Sequence, residues 1–174
     1  MSPAAPEPIG ADHDLASFDS GQPTLDAWLA SRALKNERGG GSRTYVVCEK
    51  GRVVAYYCLS TGSVVHGAAP GNVRRNMPDP IPVMLMGRLA VDRSHQGRGI
   101  ARALVRDAIL RTLNAAEIAG IRALLVHALD DTAAAFYRHL GFVDSPIDPL
   151  VLMLPLASAR KALDLRRFSS VPAR

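Results

Sequence analysis

The sequence predicts an α/β fold in which helices flank a single mixed β-sheet. Three observations predict it: strand-like runs lie in several parts of the chain, helical periodicity separates them, and a glycine-rich turn joins a long apolar run to a helix. The length of 174 residues fits one domain of about 100 to 200 residues. The predicted domain spans residues 14–155, between a flexible N-terminus at residues 1–13 and a basic C-terminal tail at residues 156–174.

The first predicted elements are an amphipathic helix and a β-hairpin. Residues 24–37 carry apolar side chains at helical spacing, and Thr24 is the candidate N-cap. The runs TYVVCE and RVVAYYCLST, which follow, are rich in β-branched and aromatic residues. Because only a short turn separates them, they are predicted to pair as a hairpin.

The two cysteines are predicted to be free. A tight turn within EKGR sets Cys48 opposite residue 53 rather than opposite Cys58, so we expect buried thiols and no disulfide. Neither cysteine has metal-ligand spacing, and no pair of the five histidines has zinc spacing, so no metal site is predicted. His127 is either a general base or a satisfied core histidine, and we favour the core; His95 is expected to rim the glycine-rich turn.

The middle of the chain is predicted to be a loop followed by a β-α-β unit. Residues 66–80 are rich in glycine, proline and asparagine, which is typical of a mobile loop. Residues 81–91, IPVMLMGRLAV, are apolar on both faces, as expected of a central strand. A helix over residues 103–119 and a buried strand in residues 121–129 complete the unit.

The last predicted elements are a short helix and a strand. The stretch DDTAAAFYRHLGF begins with the candidate caps Asp130 and Asp131 and stops as a helix at Gly141. The run LVLMLPL follows as a last strand, and no internal repeat is present. No apolar run approaches the roughly 20 residues needed to span a bilayer. The N-terminus also lacks a secretory signal pattern, so we expect a cytoplasmic protein.

The glycine-rich turn HQGRGIA predicts an anion site. Backbone N–H groups at a helix N-terminus lack intrahelical partners, and the helix dipole adds partial positive charge. Gly97 and Gly99 allow phosphate oxygens to approach the backbone closely. The turn lacks both the lysine of the NTPase P-loop and the spacing of the dinucleotide fingerprint. The expected phosphate therefore belongs to another ligand.

The spacing Gln96-x-x-Gly99-x-Ala101 after RLAVD resembles the acetyl-CoA pyrophosphate loop of the GCN5-related N-acetyltransferases (GNAT), [R/Q]-x-x-G-x-[G/A]. The stretch AAAFYRHLGF resembles the closing helix of that family, and the resemblance covers residues 14 to 155. It implies the GNAT fold, acetyl-CoA as the acetyl donor, and a pantetheine arm that pairs with the central strand. The cofactor-binding residues implied are Leu89, Ala90, Val91, Gln96, Gly97, Arg98, Gly99, Ile100, Ala101 and Phe136.

Three longer stretches resemble the acetyltransferase toxins of bacterial type II toxin–antitoxin modules, the TacT/AtaT-like group. They are FDSGQPTLDAWLASRALKN, RTYVVCEKGRVVAYYCLSTGSV and MLMGRLAVDRSHQGRGIARALVRDAI. The resemblance implies a toxin that acetylates the amino acid of charged tRNA and so blocks translation. It also implies a homodimer and a ribbon-helix-helix antitoxin as the partner.

The chemistry of acetyl transfer assigns a role to one tyrosine. A thioester is already activated, so transfer needs a neutral amine, a stabilised oxyanion and a proton for the departing thiolate. Tyr137 matches the family tyrosine that faces the thioester sulfur, and a phenol stays protonated at neutral pH. The other interpretation is that Tyr137 simply packs beside Phe136. No general base is obvious, which fits an α-amino acceptor with a pKa of roughly 8.

The charge of the chain is compatible with a polyanionic partner. Lysine and arginine outnumber aspartate and glutamate by 21 to 16, giving a formal charge of +5 and a pI near 9.7. Aromatic residues make up 5% of the chain, which favours contact with phosphates over base stacking. The predicted tRNA-binding residues are Lys35, Arg74, Arg75, Arg88 and Arg93.

Two alternatives to aminoacyl-tRNA acetylation stay open from the residues alone. The first is an acetyltransferase that acts on a protein N-terminus or a small amine. A cationic amine normally calls for an acidic cleft, which the basic stretches VRRN and GRLAVDR argue against. The second is a non-catalytic acyl-CoA-binding or DNA-regulatory module, which would not explain the presence of a tyrosine at position 137.

Overall fold

The computed structural model describes residues 4–169, and within them seven strands form one mixed sheet flanked by helices. This confirms the predicted fold class. The helices are α1 (Pro23–Trp28), α2 (Leu34–Gly39), α3 (Gly71–Arg74), α4 (Ile100–Ala116), α5 (Asp131–His139) and α6 (Leu156–Ser169). The strands are β1 (Glu7–Pro8), β2 (Arg43–Glu49), β3 (Arg52–Val64), β4 (Ile81–Val91), β5 (Ala123–His127), β6 (Val143–Asp144) and β7 (Val151–Pro155), and their order in the sheet is β1-β2-β3-β4-β5-β7-β6.

The chain divides into two compact units. The N-terminal unit comprises the chain up to Ser60 together with Met86–Arg111, and the C-terminal unit comprises Thr61–Leu85 together with the chain from Thr112 onward. Each unit has an apolar cluster of its own. No helix among residues 4–169 is long and apolar enough to cross a membrane.

In the N-terminal unit, β1 is a short edge strand within the segment that was predicted to be flexible. Pro8 in β1 lies opposite Tyr45, and the Ile9 N–H donates to the Thr44 carbonyl oxygen at 3.0 Å. Ile9 is 6% exposed and joins the apolar cluster of this unit. The buried Ile9 side chain and these backbone hydrogen bonds show that residues 7–13 are ordered, contrary to the prediction for that part of the segment. Residues 1–3 of the predicted flexible segment lie outside the described part of the chain.

The predicted helix over residues 24–37 is present, interrupted by a π-helical turn. Pro23 takes the first helical position after Gln22, which acts as the N-cap in place of Thr24. The π-turn at Leu29–Ala33 separates α1 from α2, and Gly40 ends the helix in a left-handed conformation.

The hairpin of β2 and β3 is confirmed with its register. Cys48 lies opposite Val53, and both cysteines are free; Cys58 is buried and Cys48 is half-buried. Tyr56 belongs to the apolar cluster, and its hydroxyl donates to the Leu25 carbonyl oxygen at 2.6 Å, which ties β3 to α1.

In the C-terminal unit, residues 66–80 are a structured segment rather than an open loop. The segment contains a 3₁₀ turn at His66–Ala68 and the short helix α3, and Val73 within it is fully buried. The His66 Nε2 lies 2.8 Å from the carbonyl oxygen of Met77 and 2.9 Å from that of Pro78. Polar composition alone predicted a mobile loop, but the buried apolar side chain and these bonds hold the segment in place.

The C-terminal part of the chain contains the predicted strand pair and helix, plus one helix that the sequence did not predict. Strands β5 and β7 are antiparallel, and α5 begins after Asp130, whose carboxylate accepts from the Ala133 N–H at 2.8 Å. The segment predicted as a basic tail begins as α6, because Leu156 and Ala159 are spaced to be buried on one helix face. Residues 170–174 of that tail lie outside the described residues.

Candidate functional site

The glycine-rich turn of the N-terminal unit has the backbone geometry of an anion site. After β4 ends at Val91, a 3₁₀ turn leads to Gly97 and Gly99, whose φ angles are +78° and +79°, and α4 begins at Ile100. A Cβ added at either glycine meets nothing within 4 Å, so the left-handed backbone, and not crowding, requires glycine. The unpartnered amides at the start of α4 and its dipole favour a phosphate group there.

Gln96 fixes the turn to its surroundings. The Gln96 side-chain amide donates to the carbonyl oxygens of Val91 and Ser20, both at 2.9 Å. These two bonds hold the start of the turn against the end of β4 and against the segment that precedes α1. In the structure, this predicted cofactor-binding residue therefore uses its side-chain amide to position the turn.

Asp92 is the centre of a hydrogen-bond network below the same turn. Its Oδ1 accepts from the Ser94 hydroxyl at 2.6 Å, and its Oδ2 accepts from the Asp19 N–H at 3.0 Å and faces Arg52 at 3.4 Å. Burial alone raises the pKa of Asp92, but the hydrogen bonds from Ser94 and Asp19 and the charge of Arg52 outweigh it and lower the pKa below its ordinary value. The carboxylate is ionised and supports the turn as an acceptor.

His95 joins this network instead of rimming the turn, which corrects the prediction. Its side chain is 11% exposed, with Nδ1 at 2.7 Å from the Ser94 hydroxyl oxygen and Nε2 at 2.7 Å from the Glu49 carboxylate. Sequence reasoning missed Glu49 and Asp92, which lie far apart in the chain and carry no motif. The only local indication was the position of Asp92 two residues before Ser94, a spacing at which a carboxylate can accept from the Ser94 N–H and cap a short turn.

The strand edge expected to hold the pantetheine arm lies beside a stacked cation. Ala90 and Val91 are buried, and Leu89 is half-buried. The Arg88 guanidinium carbon lies 4.6 Å from the ring centroid of Trp28. The same ring also stacks on Tyr56, whose centroid is 5.9 Å away. The contact with Trp28 therefore restricts the movement of the Arg88 side chain.

Tyr137 lies in the C-terminal unit, on α5. Its side chain is 7% exposed and packs between the rings of Phe136 and Phe142, at centroid distances of 5.2 Å and 5.4 Å. Burial raises the pKa of Tyr137 to about 12. The phenol is protonated at neutral pH and so has a proton to donate, as the predicted acid must. Phe136, a predicted cofactor-binding residue, is half-buried beside it.

Two of the predicted tRNA-binding arginines are presented by a braced segment of the C-terminal unit. Arg74 and Arg75 are exposed at the end of α3. The Arg122 guanidinium donates to the carbonyl oxygens of Val73, Asn72 and Arg75 at 3.0, 3.2 and 3.4 Å. These bonds satisfy the C-terminal carbonyl groups of the short helix and fix its direction.

The remaining predicted cations belong to the N-terminal unit. Lys35 is exposed on α2, and Arg93 is exposed but faces Asp19 at 3.3 Å. The exposed Arg98 lies within the turn, and the exposed Arg102 and Arg106 follow on α4 at intervals of four residues, on one face of the helix. Sequence reasoning missed Arg102 and Arg106, although their spacing was a usable signal.

Two further histidines lie outside this turn, His127 at the end of β5 and His13 near β1. His127 is exposed at the end of β5, so it is not the core histidine that was favoured. Glu7, His13 and Cys48 have potential ligand atoms within 4.8 Å of one another. The Gly10 N–H donates to His13 Nδ1 at 2.9 Å, so His13 Nε2 carries the hydrogen that bonds Glu7. As arranged, that nitrogen offers no lone pair to a metal ion.

Comparison with known proteins places the chain in a family. The acetyltransferase (GNAT) domain model matches residues 40–144. A tRNA-acetylating toxin of Mycobacterium tuberculosis is 57% identical over 157 residues, which cover 90% of this chain and 95% of that relative.

Two solved structures are similar over nearly the whole chain. AtaT in complex with acetyl-methionyl-tRNAfMet has a TM-score of 0.85 and 31% identity, covering 91% of this chain and 98% of that one. A Tyr-to-Phe mutant of AtaT bound to acetyl-CoA and the C-terminus of the antitoxin AtaR has a TM-score of 0.80 and 30% identity, with 92% and 97% covered. The chain therefore belongs to the GNAT acetyltransferases, within the group that includes the TacT/AtaT-like toxins.

Proposed function

We propose that this protein is the toxin of a type II toxin–antitoxin system, an acetyl-CoA-dependent N-acetyltransferase that acetylates the free amino group of aminoacyl-tRNA and blocks translation. The observation that carries the proposal is the 57% identity to a tRNA-acetylating toxin over 90% of the chain. The geometry of the glycine-rich turn, hereafter the phosphate loop (residues 96–101), supports the choice of donor.

The phosphate loop and β4 are proposed to bind the donor. Acetyl-CoA supplies an acetyl group that is already activated as a thioester. Gly97 and Gly99 open the backbone to the pyrophosphate, and the amides that begin α4 donate to its oxygens. The backbone of Leu89–Val91 is proposed to pair with the pantetheine arm, with the Val91 N–H directed at the carbonyl oxygen on which negative charge develops.

Tyr137 is proposed to supply the proton for the leaving group. The amine nitrogen attacks the carbonyl carbon, the carbon–sulfur bond breaks, and the amide forms while the amine releases a proton to water. Tyr137 donates its phenolic proton to the departing sulfur and is reprotonated from solvent. Its burial, which raises its pKa to about 12, keeps that proton in place before the reaction.

An α-amino acceptor suits a site without an assigned base. Its pKa of roughly 8 leaves a substantial neutral fraction at physiological pH, whereas a lysine amine near 10.4 is almost wholly protonated. The exposed or half-exposed cations proposed to contact the tRNA phosphates are Lys35, Arg74, Arg75, Arg88 and Arg93.

The partners follow from the same proposal. The AtaT structures contain acetyl-methionyl-tRNAfMet in one case and the C-terminus of the antitoxin AtaR in the other. For this protein we propose an antitoxin of the ribbon-helix-helix type, a homodimer, and action in the cytoplasm, where charged tRNA is present.

Radiolabelled acetyl-CoA tests the function directly. Purified protein is offered three acceptor pools: bulk aminoacyl-tRNA, the same tRNA after deacylation, and ribosomal plus soluble proteins. Label that enters charged tRNA alone, and is released by mild base as an N-acetyl amino acid, is the expected result. Label in protein, or in small amines added separately, would retain the acetyltransferase and overturn the acceptor. No transfer to any pool, with acetyl-CoA bound, would favour a binding module.

A further inference from the structure

Helix α3, which presents Arg74 and Arg75, has only four residues and is held at its end by the side chain of Arg122. A helix of this length is not stable alone, because nucleation costs more conformational entropy than its few hydrogen bonds recover. We propose that Arg122 is a positioning residue, which fixes the end of α3 so that Arg74 and Arg75 meet tRNA phosphates and which binds no phosphate itself. The inference rests on the proposed aminoacyl-tRNA acceptor.

The hydrogen bonds at the end of α3 show what Arg122 replaces. In a longer helix, the last carbonyl oxygens of α3 would accept from N–H groups of the following turn. Here the chain leaves the helix after Arg74. The donors are instead Arg122 Nε, at 3.0 Å from the Val73 oxygen, and Arg122 Nη2, at 3.2 Å from that of Asn72 and 3.4 Å from that of Arg75. The guanidinium therefore takes the place of the next helical turn.

The backbone of Arg122, directly before β5, is itself fixed on both sides. Its N–H donates to the carbonyl oxygen of Pro82 in β4 at 2.9 Å, and its carbonyl oxygen accepts from the N–H of Leu156, where α6 begins, at 3.1 Å. All these residues belong to the C-terminal unit, and the Arg122 side chain is half-buried. The direction of α3 is thereby tied to two longer elements of the unit.

The start of the same segment is held independently of Arg122. The Ser145 hydroxyl, in a side chain that is buried, donates to the carbonyl oxygen of Ala68 at 2.6 Å. Ala69 and Val73 are fully buried in the apolar cluster of the unit. Loss of the Arg122 side chain is therefore expected to loosen the end of α3, where the two arginines lie, without unfolding the segment.

The guanidinium groups of this region have no acidic partner of their own. Among the described side chains, no aspartate or glutamate forms an ion pair with Arg74, Arg75 or Arg122. Neighbouring like charges repel, and an anionic ligand removes that cost when it binds. The Nε and Nη2 donors of Arg122 already bond to carbonyl oxygens, so the exposed Arg74 and Arg75 are the groups left to meet phosphates.

Amide hydrogen exchange and steady-state kinetics of the full chain test the inference. The key variants are Arg122→Gln and Arg122→Lys. Lysine keeps the charge but lacks the planar fork that reaches several carbonyl oxygens from two nitrogens. Arg160→Gln is the control, because it removes an exposed cation of the same unit that pairs with Glu117.

Both Arg122 variants should exchange the N–H groups of residues 73–75 faster than the wild type does, while exchange in the phosphate loop is unchanged. These three N–H groups donate to the carbonyl oxygens of Pro70 and Gly71, so they report on α3 directly. The KM for aminoacyl-tRNA should rise by about tenfold, the size of a lost charge-assisted hydrogen bond. The KM for acetyl-CoA and kcat should stay at the wild-type values, and Arg160→Gln should match the wild type throughout.

A double-mutant cycle separates positioning from direct binding of phosphate. In a protein that already carries Arg74→Gln and Arg75→Gln, the further change Arg122→Gln should leave the KM for aminoacyl-tRNA unchanged, because Arg122 acts only through those two residues. A further rise in that background would overturn the inference. Full recovery of the wild-type KM by Arg122→Lys would do the same, since it would show that Arg122 acts by its charge.

The remaining outcomes distinguish this inference from the proposed function. Equal losses in kcat and in affinity for both substrates would show that Arg122 is merely structural, and unchanged exchange at residues 73–75 would show that it does not hold α3. Either result would overturn the inference while leaving the enzyme assignment intact. A wild type that acetylates no aminoacyl-tRNA would instead overturn the proposed function.

Discussion

Tyr137 shows how its surroundings decide the role of a single residue. The ring is packed by two phenylalanines, and burial raises the pKa of its hydroxyl to about 12. A phenol with a raised pKa keeps its proton below that value and loses it above. Alkaline loss of kcat caused by Tyr137 is therefore expected only close to pH 12, well beyond the range in which the acceptor amine becomes neutral.

Tyr137→Phe is expected to lower kcat by about 10²- to 10⁴-fold, the usual contribution of a positioned acid, while the KM for acetyl-CoA changes little. The phenyl ring keeps the contacts with Phe136 and Phe142, so the fold should survive. Steady-state acetylation of charged tRNA measures the effect. The matched control is Tyr45→Phe, because Tyr45 is a half-buried tyrosine that stacks on Tyr57. Unchanged turnover in Tyr137→Phe would remove Tyr137 as the acid.

Sequence could predict the residues of the site that belong to local patterns. The glycines of the phosphate loop follow from their spacing, and Tyr137 from the helix ending that resembles the family. Glu49 and His95 could not be paired in this way, because 46 positions separate them and only the fold brings the end of β2 close to the turn that follows β4. The structure places a charged network where the sequence showed a lone histidine.

At the scale of single elements, the cap of α5 determines how firmly Tyr137 is held. The Asp130 carboxylate accepts from the Ala133 N–H at 2.8 Å and is the N-cap of this nine-residue helix. Asp130→Ala is expected to lower the free energy of unfolding by about 1 kcal/mol, within the range of about 0.5 to 2 for removal of a cap. Asp130→Asn should retain most of it, since asparagine caps equally well. Denaturant unfolding distinguishes the two variants. Equal losses of unfolding free energy would show that Asp130 stabilises the helix by its charge and not by capping.

The role of the left-handed backbone in the phosphate loop can be tested by comparing alanine substitutions at two glycines, one inside the loop and one outside it. Gly99→Ala places a side chain at φ +79°, which costs roughly 1–2 kcal/mol in the left-handed region, although a Cβ there meets nothing within 4 Å. Acetyl-CoA binding should weaken as the loop relaxes toward negative φ. Gly120→Ala is the control, because Gly120 has equal space and no left-handed backbone. Calorimetry with acetyl-CoA measures both, and equal affinities in the two variants would contradict the account of the loop.

The elements that sequence missed are short or weakly patterned. Helix α3 has four residues and β1 has two, so neither shows a full hydrophobic period. Their stability comes from tertiary contacts, such as the Arg122 bonds to α3 and the pairing of β1 with β2. The long elements α4 and β4, by contrast, were predicted within a few residues, because periodicity extends over their whole length.

On the scale of the whole molecule, the net positive charge favours binding of tRNA, which is a polyanion. The formal charge is +5, and each unit exposes cations that the structure does not neutralise fully. Arg75 in the C-terminal unit and Lys35 in the N-terminal unit are exposed, whereas Arg93 has an acidic neighbour, Asp19. When such residues bind phosphates, they release counterions from the nucleic acid, so affinity depends on salt in proportion to the number of phosphates bound.

The KM for aminoacyl-tRNA is accordingly expected to rise steeply with salt, while kcat stays nearly constant. Changing both Arg74 and Arg75 to glutamine should reduce the slope of log affinity against log salt by about one for each phosphate that the protein no longer neutralises. Arg160→Gln is the control, since Arg160 is an exposed cation of the same unit that pairs with Glu117. Acetylation rates measured from low to physiological salt give all three slopes. If the salt dependence of the double variant and of the control equals that of the wild type, Arg74 and Arg75 do not bind tRNA phosphates. The tRNA would then bind to another surface of the protein.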